Sequence, residues 1–220
     1  NFTASFTWSK LLSATGRLNN GFLADPEPFY GIDSSDRPFL FSFAGMYKLP
    51  IGRGGMIGKD VNGFVNEAIS GWQVNWILND QSGTPVNFPN NYIDTCGSYN
   101  IRPSHKSWGS YLNNSNPECF ASFPEYTAVT LLPLSTHART PWAMQSQVSL
   151  MKQFPIHESV NLQFRAEAFN MTNTPIFNGP NTGNPNSPVV RQANILADQP
   201  GAYTGYGTVG PSTQNSPRQI

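Results

Sequence analysis

The chain has 220 residues, enough for one large domain or two small ones with a sizeable core. Only 12% are charged, against about 25% in ordinary soluble domains, and 13 Lys and Arg balance 13 Asp and Glu. No net charge therefore points to nucleic acid or an anionic surface, and no run of about 18 apolar residues offers a transmembrane helix.

Aromatics at 13%, with 19 Gly and 19 Pro, favour strands and turns over helices. Barrel strands need only about 9–11 tilted residues each, so a membrane stays open as a setting. No signal peptide is visible, because "NFTASFTWSK" already alternates as a strand near 1–12, with Phe2, Ala4, Phe6 and Trp8 on one parity. A Gly-, Asn- and Pro-rich loop follows, from about 13 to 36. The next strand, 37–49, places Phe39, Phe41, Phe43, Gly45, Tyr47 and Leu49 opposite Ser42, Ala44 and Lys48. After the turn "IGRGG" and a short irregular piece, a strand near 69–82 sets Trp72, Val74, Trp76 and Leu78 against Gln73, Asn75 and Asn79. Ile77 is its exception.

A very long loop spans 84–141, and a weaker strand near 142–154 leads into the tight turn "PIHE". The strand 158–170 alternates most cleanly. Val160, Leu162, Phe164, Ala166 and Ala168 oppose Asn161, Gln163, Arg165 and Glu167. A helix would collect Val160, Phe164 and Ala168 on one face but scatter Leu162, Ala166 and Phe169, so period two fits better. Phe169 and Met171 break parity at its end, which predicts a bulge or an earlier loop start. A last long loop, 173–213, precedes "NSPRQI" at 215–220, which could start one more strand.

The connections alternate long and short, as in transmembrane barrels with short periplasmic turns and long outer loops. Phe2, Trp8, Phe39, Phe43, Trp72, Trp76, Trp142 and Phe154 fall toward the ends of the proposed spans. They read either as an interfacial girdle or as the core of a β-sandwich.

Cys96 and Cys119 share one Asn-, Ser- and Gly-rich stretch, and a disulfide closing a surface loop is favoured over two free thiols. His105, His137 and His157 show no metal-type spacing, and no Gly-x-Ser-x-Gly elbow exists. "IGRGG" lacks the helix and Lys-Ser/Thr of a phosphate loop. On a lumen wall Arg165 and Glu167 would pair with neighbouring strands; a solvated salt-bridge ladder is the preferred reading. No catalytic residue, metal or cofactor is assigned, and the chain is expected not to be an enzyme. Loop 84–141 carries Tyr92, Tyr99, Arg102, His105, Trp108 and Tyr111; Tyr99, Arg102, His105, Trp108 and Tyr111 are the candidate ligand contacts.

"DRPFLFSFAGMYKLPIGRG", "GWQVNWILNDQSGTPVNF", "RTPWAMQSQVSLMKQFPIHESVNLQFRAEAFNMTNTPIFNGPN" and "NSPRQI" occur in this order. Together they resemble the C-terminal barrel of TonB-dependent outer-membrane receptors, in particular the group with an N-terminal carboxypeptidase-regulatory-like domain. The expected fold is therefore all-β: a segment of an antiparallel, up-and-down transmembrane barrel with long extracellular loops. The resemblance implies a signal peptide, an energy-coupling segment and a plug domain that this sequence does not contain. It makes the chain a C-terminal fragment of about six of roughly 22 strands, which in isolation gives an open sheet with loosely packed loops. The implied function is energised uptake across the bacterial outer membrane. Its partners would be membrane lipid, the plug and remaining barrel strands, and the inner-membrane TonB complex, with no nucleic acid. A surface adhesion barrel without transport and a soluble carbohydrate-binding sandwich are the competing readings.

Overall fold

A computed structural model describes residues 1–14, 30–87, 92–96, 100–114, 117–122, 125–126, 134–157 and 160–220. Five long strands make one antiparallel sheet: β1 (Phe2–Trp8), β2 (Phe39–Lys48), β3 (Trp72–Gln81), β4 (Ala143–His157) and β5 (Val160–Phe169). Each strand pairs with its neighbour in the chain, so the sheet is an up-and-down meander ordered as numbered, with β1 and β5 at its edges.

The register turns the period-two sequence pattern into two faces. Phe2, Gly45, Trp76, Val148 and Ala168 form one cross-strand row, and Tyr47, Val74, Leu150 and Ala166 form the next. On the opposite face lie Met46, Asn75, Ser149 and Glu167, then Lys48, Gln73, Met151 and Arg165. The rings of Trp72 and Phe164 meet edge-on at 5.7 Å, which puts both side chains on the apolar face. Gly45 is required there, because a Cβ at this position would lie 2.4 Å from the Trp76 ring.

Ile77 and Phe169 both lie in the row with Gln147 on the polar face. Of the two expectations for the end of β5, the bulge is absent and the earlier loop start holds: pairing runs without a shift through Phe169, the strand ends where Asn170 adopts φ 49°, and Met171 already lies in a turn. The parity break is therefore an apolar side chain on the polar face. The turn at "PIHE" also needs correction. Pro155 and Ile156 belong to β4, a register shift falls between Pro155 and His157, and His157 pairs with Val160. Proline has no N–H for the ladder but fits extended backbone, so it sits at a bulge rather than ending the strand. Glu158, where the fifth strand was expected to start, lies outside the described residues.

Arg165 and Glu167 form a partly exposed ion pair with each other along β5, in line with the preferred reading as a solvated salt bridge, and not with neighbouring strands. The sixth strand is reduced to one bridge, Gln219 with Phe169, which still sets the last residues beside β5. The irregular piece before β3 contains a helix, α1 (Gly63–Ile69). Asn62 caps it by accepting from the Val65 N–H at 2.9 Å, a signal the sequence carried in an otherwise unpatterned stretch.

Among the described residues no second sheet covers either face, and Trp8 is 79% exposed. None of the eight proposed girdle aromatics belongs to the buried core, which removes the sandwich-core reading. Trp72 and Phe154 stand near one end of the sheet, and Trp8, Phe39 and Trp142 near the other. Phe43 and Trp76 lie mid-sheet, within 6.1 Å of each other, rather than at an end.

The loops are the tightly packed part of the molecule, contrary to the sequence-based expectation. Val86, Ile101, Tyr111, Leu112, Ala138, Tyr206 and Val209 form the buried cluster, with Trp108 and Phe177 against it. All come from connections 82–142 and 170–220. Short ribbons brace them: Pro85–Asn87 with Leu134–Arg139, Tyr92–Asp94 with Phe120–Ser122, and Val190–Arg191 with Tyr203–Thr204. Among the described residues no second sheet packs on this one, so apolar loop residues leave water by packing on one another.

Candidate functional site

The two long connections after β3 and β5 emerge at the same end of the sheet. Their shared core supports a cleft of ≈ 350 Å³ lined by Ile101, Arg102, Lys106, Tyr111, His137 and Arg139, among others. Ile101 and Ala138 are buried beneath it. Arg102 is oriented by its own Nε–H, which donates to the His137 carbonyl at 2.8 Å. Lys106 places its Nζ 3.7 Å from the centre of the Tyr111 ring, a cation–π contact.

Burial and then repulsion from Arg102 lower the Lys106 pKa below its usual value. Burial alone pushes the Tyr111 phenol up to about 12, so it stays neutral and donates rather than carrying charge. Arg139 is already engaged by the buried Asp36 carboxylate. No carboxylate lines the cleft among the described residues, and neither Arg102 nor Lys106 has a salt bridge there. The arrangement suits an anionic group held between Arg102 and Lys106, with an apolar or ring portion on Tyr111.

Of the five residues expected to contact ligand, Arg102 and Tyr111 line this cleft. Trp108 belongs instead to the core, at 5.0 Å from Phe177 and 6.5 Å from Tyr111. His105 is exposed and does not line the cleft. Tyr99 lies outside the described residues. Sequence reasoning missed Lys106, His137 and Arg139. The last two come from the far end of the same loop, with no local pattern linking them to Arg102.

Cys96 and Cys119 are joined by a disulfide, Cα–Cα 5.1 Å, beside the ribbon Tyr92–Asp94 with Phe120–Ser122. The Thr95 N–H donates to the Cys119 carbonyl at 2.9 Å in the same place. For a separation of 23 residues, chain entropy puts the loss on reduction at about 3 kcal/mol. Replacing both cysteines with serine should lower the urea midpoint of loop unfolding while leaving the sheet's strand signal intact.

A second groove, of ≈ 330 Å³, runs along the polar face, bordered by Gln73, Asn75, Ser149, Met151, Arg165 and Glu167. Among the described residues no three His, Cys, Asp or Glu side chains could hold a metal ion together.

A family model described as an outer membrane beta barrel domain matches residues 1–220. This chain belongs to that family. It is an all-β barrel segment of the bacterial outer membrane, and no curated protein and no solved structure matches it. In such a barrel the apolar face meets lipid and the polar face meets the lumen, because hydrocarbon cannot hydrogen-bond a side chain. Phe2, Trp76 and Leu150 therefore face outward, while Asn75, Arg165 and Glu167 face the lumen. The groove on the polar face is a stretch of lumen wall.

Proposed function

We propose that the chain forms barrel wall and outer loops of a TonB-dependent receptor, which takes up an anionic substrate across the outer membrane with energy from the inner membrane. The observation that carries this reading is the loop unit. Two long connections on one side of the sheet share a buried core and hold Arg102 and Lys106 beside Tyr111, a built recognition surface above a barrel wall. The ordered sequence blocks that resemble these receptors support the energised step. The wall side chains do no chemistry in this scheme: they hold lumen and loops in place while a plug, coupled to the inner-membrane complex, opens the path. The chain carries no catalysis.

Each cation lost from the cleft should weaken capture by about 1.5–3 kcal/mol, or at least tenfold, as expected for a hydrogen bond to a charged group. Arg102→Gln and Lys106→Gln in the intact receptor test this with labelled acidic sugars and acidic peptides applied to whole cells. Deleting the inner-membrane TonB protein should abolish accumulation and leave surface binding unchanged. Accumulation that persists without TonB would reject energised uptake, and surface binding with no accumulation in either background would favour an adhesion barrel.

A further inference from the structure

Lys152 breaks the apolar face. It stands directly between Trp72 and Phe164 in the cross-strand register, on the side that faces lipid, yet it is only 2% exposed. Its ammonium donates to the carbonyls of Glu67 and Ala68, the latter at 2.8 Å, at the C-terminal end of α1. The same ammonium lies 4.5 Å from the Phe154 ring centre and 5.6 Å from that of Trp72. The Trp72 indole N–H donates to the Ala68 carbonyl at 3.2 Å. The end of α1 is thereby fastened onto the lipid-facing side of the wall.

This fastening occurs at the end of the sheet opposite the loop unit, beside the short β4–β5 connection, which is the periplasmic end in a bacterial barrel. The rest of the connection then exposes large apolar side chains. Phe64 of α1 is 88% exposed, and Met56 and Ile57 in the preceding turn are 79% and 65% exposed. A Cβ at Gly58 would lie 3.0 Å from Ile69, so this turn rests against the helix. Exposed Lys48, Arg53 and Lys59 are largely offset by Asp60 and Glu67, so apolar contact rather than charge would carry any binding.

We propose that α1 and the turn at Met56 and Ile57 form an interfacial anchor, with Phe64, Met56 and Ile57 inserted at the headgroup–acyl boundary of the periplasmic leaflet. The occupant is phospholipid because the patch continues the lipid-facing wall through Trp72 and Lys152. A short amphipathic segment gains from lying in that plane, where its apolar groups leave water and its polar groups keep it. Lys152 would hold the segment at the depth where the wall's apolar band ends. The proposal is independent of what the barrel transports.

The test uses the intact barrel in phosphatidylethanolamine–phosphatidylglycerol vesicles, with a bimane label on Phe64→Cys and, separately, on Met56→Cys. Barrel assembly is checked by protease resistance. Both labels should emit blue-shifted and be quenched by shallow brominated lipid at least about twofold more strongly than a label on Lys59→Cys. Iodide in the water should quench them less than that control. Labels open to iodide and insensitive to brominated lipid would overturn the proposal. Labels shielded from both quenchers would overturn it too, because protein would then cover the patch. Met56 gives a second site if the Phe64 variant fails to assemble.

Discussion

Replacing Arg139 with methionine should destabilise the loop unit by about 3–5 kcal/mol, the usual result of breaking a buried ion pair from one side. Asp36 is fully buried, and its carboxylate accepts from Arg139 and from the Leu11 N–H. Arg139 also donates to the Asp36 carbonyl at 3.0 Å and the Gly83 carbonyl at 3.2 Å. One guanidinium thus joins the connection after β1 to both ends of the connection between β3 and β4. Without it, a carboxylate would remain in a dry site with one backbone donor, and three carbonyl and carboxylate contacts would be lost together. Hydrogen exchange in the intact barrel should show faster exchange at Leu11 and Thr140 and little change in β3 and β4. The double variant Asp36→Leu with Arg139→Met should recover most of the loss, because an apolar pair of similar volume needs no compensating charge. Unchanged protection in the single variant would show that the pair contributes nothing to stability.

Leu112→Ala should cost the loop unit about 3–4 kcal/mol, within the range for a leucine removed from a closed core. Leu112 is 1% exposed, and its neighbours in the core include Tyr206 and Val209 from the other long connection. Its N–H and that of Tyr111 both donate to the Gly207 carbonyl, at 3.1 and 2.9 Å. Gly207 itself has φ 74°, and a Cβ there would lie 2.9 Å from the Leu112 carbonyl oxygen, so the two loops approach with no room to close over a void. The substitution should therefore loosen both connections at once and weaken ligand capture, since Tyr111 is the adjacent residue. Differential hydrogen exchange across residues 100–114 and 200–210 measures it. A change confined to one loop would show that the two do not share a core.

Much of the wall was legible in the residues alone. Alternation in β1, β2, β3 and β5 located the strands and separated their faces, because a pleated backbone sends successive side chains to opposite sides. Long and short connections gave the order of the meander. The errors arose where one residue type had two explanations. Pro155 looked like a turn and proved to be a bulge inside β4. Phe169 looked like a loss of pattern and proved to be an apolar residue on the lumen face. The helix α1 has only seven residues, so the helical spacing of Phe64 with Ala68 and of Val65 with Ile69 was too brief to stand out in the irregular piece.

The site was less legible than the wall. Arg102 and Tyr111 could be named because cations and aromatics in a long loop are natural ligand contacts, but Trp108 has the same composition cue and serves the core. Asp36 and Arg139 are 103 residues apart, and Tyr111 shares its core with Tyr206 across nearly as wide an interval of chain. Sequence by itself determined what is local and periodic: strand positions, the apolar and polar faces, and the family's ordered blocks. Only the tertiary structure decided that the loops, rather than the sheet, bury the core, that Lys152 is satisfied by the end of α1, and that Arg102 and Lys106 converge. The physical reason is that periodicity records which solvent each side of a strand faces, whereas packing between distant loops depends on shape and chain closure, which leave no repeating mark.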